Sequence, residues 1–141
     1  MERTQNMVYY GGVTVYHVGV DLIEIERIEK VLARWGERFL ERVYTGAERG
    51  DCQNRAPSLA VRFAAKEAVM KALGTGIKGV GWREIEVLPN RDGKPLVYLY
   101  GGALQKARGL GLGELAISLS HSRDYAIASV VGGSSEDCNH R

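Results

Sequence analysis

Lys66, Glu67 and Lys71 stand among alanines in the run Arg62-Phe-Ala-Ala-Lys-Glu-Ala-Val-Met-Lys-Ala-Leu73, and Gly74-Thr75-Gly76 follows directly. One carboxylate flanked by two ammonium groups, with a glycine-rich exit, suits a site that holds a divalent cation and phosphate groups. Hard cations take oxygen ligands, and magnesium usually has one or two carboxylates together with substrate phosphates. Lysine and exposed backbone N–H groups complement phosphate oxygens. Each part also has a plainer reading. Glu67 and Lys71 are spaced as an i,i+4 surface ion pair, worth about 0.2–0.5 kcal/mol, and a glycine pair after a helix is often only a cap and turn. On a helical wheel Glu67 lies near Ala60, Phe63 and Met70, at the edge of the apolar face, where a carboxylate needs a partner. The spacing alone weighs metal ligation and structural pairing evenly.

The elements that must hold these groups follow from periodicity. Residues Val13 to Val20 alternate and predict a strand, which Asp21 ends. Leu22, Ile25, Ile28, Leu32, Trp35 and Phe39 share one face of a helix that Gly36 ends or bends. Thr45 and Glu48 have capping-box spacing. Ser58 is placed to cap a long helix over Leu59 to Leu73, with Gly74 as its stop. Glu84 to Leu88 and Pro95 to Tyr100 predict strands joined by a turn at Asn90 to Gly93. Leu104, Ala107 and Leu110 predict a short helix, and Leu115 to Ser120 and Tyr125 to Val131 two more strands. Helices first and then mostly strands joined by tight turns predict an α+β fold, a small antiparallel sheet packed with helices. One domain is expected over residues 13–131, with flexible ends at 1–12 and 132–141.

The 141 residues suffice for one domain with its own core, and 45% hydrophobic and 26% charged residues are ordinary for a globular protein. A net charge of +2 is too mild to argue for nucleic acid, so a basic binding surface must be local. Cys52 and Cys138 have no metal-ligand spacing and make no disulfide framework, which predicts a reducing, cytoplasmic setting. No apolar run approaches the roughly 20 residues that cross a bilayer, so no membrane is implied.

Three further groups carry two readings each. Asp21 follows a strand and precedes a helix, the place of a metal ligand or of an ordinary N-cap, and taken alone the cap suffices. His121 ends a strand at a turn, as a plain polar residue or as a proton carrier or phosphate donor. Arg27, Lys30, Arg34 and Arg38 fall within about 80° of arc on a helix, either a solvated face or a docking stripe for an acidic protein.

Taken together and in order, the motifs resemble those of the holo-acyl-carrier-protein synthases, small bacterial-type 4'-phosphopantetheinyl transferases. The resemblance rests on Val18-Gly-Val-Asp-Leu-Ile-Glu-Ile-Glu-Arg-Ile28, Arg62-Phe-Ala-Ala-Lys-Glu-Ala68, Gly74-Thr-Gly-Ile77, Asp92-Gly-Lys-Pro95, and Ser118-Leu-Ser-His121 followed by Tyr125-Ala126. It implies transfer of 4'-phosphopantetheine from coenzyme A to a serine of apo acyl carrier protein in fatty acid biosynthesis, releasing adenosine 3',5'-bisphosphate. It implies magnesium on Asp21 and Glu67, and contacts to coenzyme A from Lys66, Lys71, His121 and the Gly74, Thr75, Gly76 turn. Arg62 and the turn at Gly93, Lys94 and Pro95 would add to these contacts from an adjacent subunit. Glu67, Lys71 and His121 would be the catalytic groups, and Arg27, Lys30, Arg34 and Arg38 would dock the carrier protein. The resemblance further implies a homotrimer with active sites between subunits. The competing expectations are a non-catalytic module that binds a nucleotide or a carrier protein, and a transferase that serves polyketide or peptide synthetase carriers.

Overall fold

The computed structural model describes residues 13–136, so the extension expected over 1–12 lies outside the described residues. β1 (Val13–Glu24), β4 (Leu112–His121) and β5 (Tyr125–Glu136) form an antiparallel sheet in the order β1-β5-β4. β2 (Ile85–Pro89) and β3 (Pro95–Leu99) form a separate hairpin. The helices are α1 (Ile25–Trp35), α2 (Glu37–Val43), α3 (Gly46–Cys52), α4 (Ala56–Leu73) and α5 (Gly101–Gly109). The α+β expectation holds. Among the described residues no helix is long and apolar enough to cross a membrane.

Helix α4 is the centre of the molecule. Ala60, Ala64, Ala65, Ala68 and Ala72 are all buried, together with Leu59, Val69, Met70 and Leu73. A helix buried around most of its circumference is a core helix rather than a surface one, and its alanines let other backbones come close. Gly19 on β1 meets it there. A Cβ on Gly19 would stand 1.8 Å from the carbonyl oxygen of Ala68. The C-terminal end of α4 stops at Gly74, whose φ of 73° is the left-handed cap that glycine adopts without strain.

Several expected boundaries move. β1 does not stop at Asp21 but runs to Glu24, so Leu22 belongs to the strand and Asp21 caps nothing. The predicted single helix is two, because Gly36 at φ 53° breaks the chain between α1 and α2. α4 begins at Ala56 with Pro57 in its first turn, ahead of Ser58, since proline suits the position where no N–H is needed. β5 continues to Glu136, with Gly132 facing His17 and Ser134 facing Val15 across the ladder. Residues 132–136 are therefore strand and not a fraying tail, while 137–141 lie outside the described residues. The capping box is as expected: the Glu48 N–H donates to Thr45 Oγ1 at 3.2 Å, and the Thr45 N–H donates to Glu48 Oε1 at 2.9 Å.

The Gly19 contact is backbone against backbone and cannot be relieved by turning a side chain. Gly19→Ala is expected to cost about 1–3 kcal/mol in urea melts, or to prevent folding. Gly50→Ala, whose Cβ meets nothing within 4 Å in α3, is expected to be neutral or to stabilise by up to about 1 kcal/mol.

Candidate active site

Asp21 points from the inner face of β1, where it stands opposite Ala128 on β5. Its side chain is only 13% exposed, and its Oδ1 accepts a bond from Lys71 Nζ at 3.1 Å. The same ammonium donates to the Val20 carbonyl at 2.9 Å. The ion pair of Lys71 is thus with Asp21 across two elements, and not with Glu67 one turn away on its own helix. Glu67 is half-buried beside them. Burial pushes its carboxyl above the usual carboxylate range, the nearby Asp21 charge adds to this, and Lys71 and Arg27 oppose it. Two carboxylates that disfavour each other's charge form a place for a cation.

An open cleft of about 500 Å³ begins at this cluster, lined by Glu67, Met70, Lys71, Thr75, Gly76 and Lys78. The glycine turn shapes it by conformation. Gly76 has φ 64°, while the N–H groups of Gly74 and Thr75 donate back to the carbonyls of Lys71 and Met70, each at 3.1 Å. Those two donors close the helix, while Thr75 and Gly76 line the cleft.

Lys66 is placed differently from its expected role. It is fully buried, and its Nζ donates to Glu48 Oε1 at 2.7 Å, to the Trp82 carbonyl at 3.0 Å and to the Ile85 carbonyl. All three donors of the ammonium are used inside the core, so none remains for coenzyme A. Lys66 and Glu67 are adjacent, and on a helix neighbours point about 100° apart. One turns to the core and the other to the cleft.

The other expected residues gather elsewhere. Arg62 lies five residues before Glu67, about 7.5 Å along α4 and on another side of it. Its Nε donates to the Val87 carbonyl at 3.1 Å, its Nη1 to the Ser58 carbonyl at 3.4 Å, and its Nη2 to Asp51 Oδ2. It lines a second cavity, of about 440 Å³, with Asp51, Gly93, Pro95, Ser118 and Leu119. Gly93 at φ 87° closes the hairpin turn there, and Asn90 Oδ1 accepts from the N–H groups of Asp92 and Lys94 at 2.8 and 2.9 Å. Lys94 lines the groove on the far side of β3. His121 is exposed at the end of β4 and lies opposite Ala126, which faces Ile23. It is two strands from β1, roughly 10 Å across the sheet and some 7 Å along it from Asp21. Within one chain the structure therefore brings Asp21, Glu67, Lys71, Thr75 and Gly76 together and leaves Arg62, Gly93, Pro95 and His121 apart from them.

The basic stripe is interrupted. Arg27, Lys30 and Arg34 are on α1, but Arg38 is on α2 beyond the Gly36 break. Lys30 pairs with Glu26 at 3.3 Å, and the Arg34 guanidinium stacks 5.1 Å from the centre of the Trp35 ring. Trp35, expected on the apolar face, is 48% exposed and lines a hollow with Val31, Arg38, Phe39 and Arg42. Arg42 and Lys78 escaped the sequence reading because neither has a motif. The wheel drawn for one continuous helix also misplaced Trp35.

The chain is similar to known proteins along most of its length. The sequence profile of the 4'-phosphopantetheinyl transferase superfamily matches residues 17–130. A holo-[acyl-carrier-protein] synthase of Herpetosiphon aurantiacus is 55% identical over 121 residues, spanning 81% of this chain and 95% of the relative. One of Dehalococcoides mccartyi is 56% identical over 115 residues, spanning 82% and 96%. Among solved structures, the Helicobacter pylori holo-[acyl-carrier-protein] synthase in complex with coenzyme A superposes with a TM-score of 0.75 at 35% identity, covering 82% of this chain and 98% of that one. With the family profile spanning most of the folded region and relatives above half identity along nearly their full length, this chain belongs to the holo-[acyl-carrier-protein] synthase family of the 4'-phosphopantetheinyl transferase superfamily.

Proposed function

We propose that this chain transfers 4'-phosphopantetheine from coenzyme A to a serine hydroxyl of apo acyl carrier protein. The products are holo acyl carrier protein and adenosine 3',5'-bisphosphate. The observation that carries the proposal is the meeting of Asp21, Glu67 and Lys71 at the mouth of the open cleft. Its relatives bear the name of this activity, and one of them was solved with coenzyme A.

The donor set fits magnesium. Two carboxylates converge, and among the described residues no third carboxylate, histidine or thiol joins them, which suits an ion completed by substrate phosphates and water. Asp21 and Glu67 would hold it, and when bound it supplies charge neutralisation at the pyrophosphate. The remaining chemistry falls to the protein. Lys71, half-exposed and on a flexible stem, leaves Asp21 to reach the phosphate that departs with adenosine 3',5'-bisphosphate. Glu67, or a water it orients, would take the proton of the attacking serine. Phosphoryl transfer of this kind depends mostly on positioning and electrostatics.

We read the residues that lie apart from this cleft as serving the cleft of a neighbouring subunit in a homotrimer. Arg62, Gly93, Lys94, Pro95 and His121 would contact coenzyme A from there. Two features support this. Arg62, Gly93 and Pro95 line a different cavity of their own chain from the one that Glu67 lines. The outer face of the β1-β5-β4 sheet also exposes Tyr16, Val18, Val20, Leu22, Tyr125, Ile127 and Val131 together, and a contiguous apolar patch of this kind marks an interface. α1 offers Arg27, beside Glu67, and Arg34 to an acidic carrier protein. We assign the work to fatty acid biosynthesis in the cytoplasm, in keeping with the buried free thiol of Cys52.

Intact-mass spectrometry of apo acyl carrier protein with this chain, coenzyme A and magnesium should show a gain of about 340 Da that a chelator abolishes. Asp21→Ala or Glu67→Ala should lower the rate at least about 100-fold while leaving the fold intact; a variant with full magnesium-dependent activity would remove the assignment. Glu67→Gln and Arg62→Ala chains, each weak alone, should regain activity when refolded as a mixture, because mixed trimers restore one complete site. No recovery would mean a site within one chain. Arg34→Glu should raise KM for the carrier protein about 10-fold, leave KM for coenzyme A unchanged, and weaken the salt dependence.

A further inference from the structure

Resting on the transferase reading, we infer that Asp51 competes with the phosphate of coenzyme A for Arg62 and so sets how tightly substrate and product are held. The guanidinium of Arg62 is only 11% exposed and faces the cavity that holds Gly93, Pro95 and Ser118. Three of its nitrogens already have acceptors. Two of these, the Val87 and Ser58 carbonyls, are main-chain atoms of β2 and α4 that cannot move aside. The third is the Asp51 carboxylate, 39% exposed near the end of the short helix α3. Among the described residues that carboxylate pairs with Arg62 alone, while Arg55 donates to the Asp51 main-chain carbonyl at 3.1 Å and to Gln53 Oε1 at 3.4 Å.

An Arg fork binds phosphate through two parallel N–H bonds, and here one arm is already occupied by an anion. A phosphate cannot take it with Asp51 in place, because two anions would share one cation. A phosphomonoester carries a charge of about −1.5 to −2 at neutral pH and outcompetes a single carboxylate. Asp51 then swings to solvent, which its exposure allows. The same exchange runs backward on product. Adenosine 3',5'-bisphosphate carries the phosphate that held Arg62, and the return of Asp51 helps it leave. The carboxylate also keeps the buried guanidinium paired whenever no ligand is present, so the site needs no preformed empty charge.

The test is calorimetric binding of adenosine 3',5'-bisphosphate to wild type, Asp51→Asn and Asp51→Ser, repeated with Arg62→Lys in each. Two substitutions at 51 keep the test open if one of them destabilises the protein, and thermal melts check the fold. The expected result is a Kd lowered about 3- to 10-fold in both Asp51 variants, with stronger product inhibition of turnover. Arg62→Lys should weaken binding about 10-fold and remove the benefit of the Asp51 change. A merely structural pair would lower the melting temperature and leave Kd alone. Binding unchanged or weakened in both Asp51 variants, with Arg62→Lys still harmful, overturns the competition. Unchanged binding in Arg62→Lys overturns it as well, because the phosphate then lies elsewhere. No binding by any form would instead remove the transferase reading itself.

Discussion

A charged pair in the core holds the framework together. Lys66 and Glu48 are both fully buried, and each is completely satisfied. The ammonium bonds Glu48 and the carbonyls of Trp82 and Ile85. The carboxylate accepts from Lys66 and the Thr45 N–H on one oxygen and from the Val87 N–H, at 2.9 Å, on the other. Burial pulls the lysine below its usual pKa and Glu48 pulls it back. Removing one partner of such a pair costs about 3–5 kcal/mol, because the other stays behind as an uncompensated charge. The pair joins α3, α4 and β2. Thr45 extends it to Glu86, which Tyr100 also reaches at 2.9 Å.

Helix α4 presents different groups on its different sides, and that decides what it can do. Gly19 lets β1 press against Ala68, so Asp21, two residues on, arrives beside Glu67 and Lys71. Arg62, on another side of the same helix, is carried toward the hairpin of β2 and β3. One rigid element therefore carries two groups of candidate residues on different faces. The sheet that backs α4 is buried on the helix side and apolar on the other. The association proposed for that outer face is thus continuous with the core, not an addition to it.

The short-range features of the fold were legible in the residues. The Thr45 and Glu48 capping box, the Gly74 stop, the Gly36 break and the turn at Asn90 to Gly93 each follow from the backbone needs of one or two residues. The candidate carboxylate Glu67 and Lys71 were legible too, because charged groups among alanines have few uses, but Lys66 beside them proved to belong to the core. Boundaries failed where tertiary pairing outweighed local pattern. β1 runs through Asp21, and β5 through Gly132 and Ser134, because a partner strand continues alongside each. Polar residues that read as a cap or a tail remain strand when the ladder supplies their backbone bonds.

The sequence by itself determined which groups are chemically suited to a cation and to phosphate, since a carboxylate's affinity for a cation and a lysine's for phosphate are properties of the side chains. It could not decide where those groups go. Lys66 and Lys71 are alike as letters, both five or fewer residues from Glu67 on one helix. Only the packed structure sends the first into a buried pair with Glu48 and leaves the second at the cleft on Asp21. Asp51, in a stretch without a motif, became meaningful only when folding set it on Arg62. The reason is physical: charge and hydrogen-bonding capacity are local, but desolvation and the choice of partner are fixed by which elements pack together.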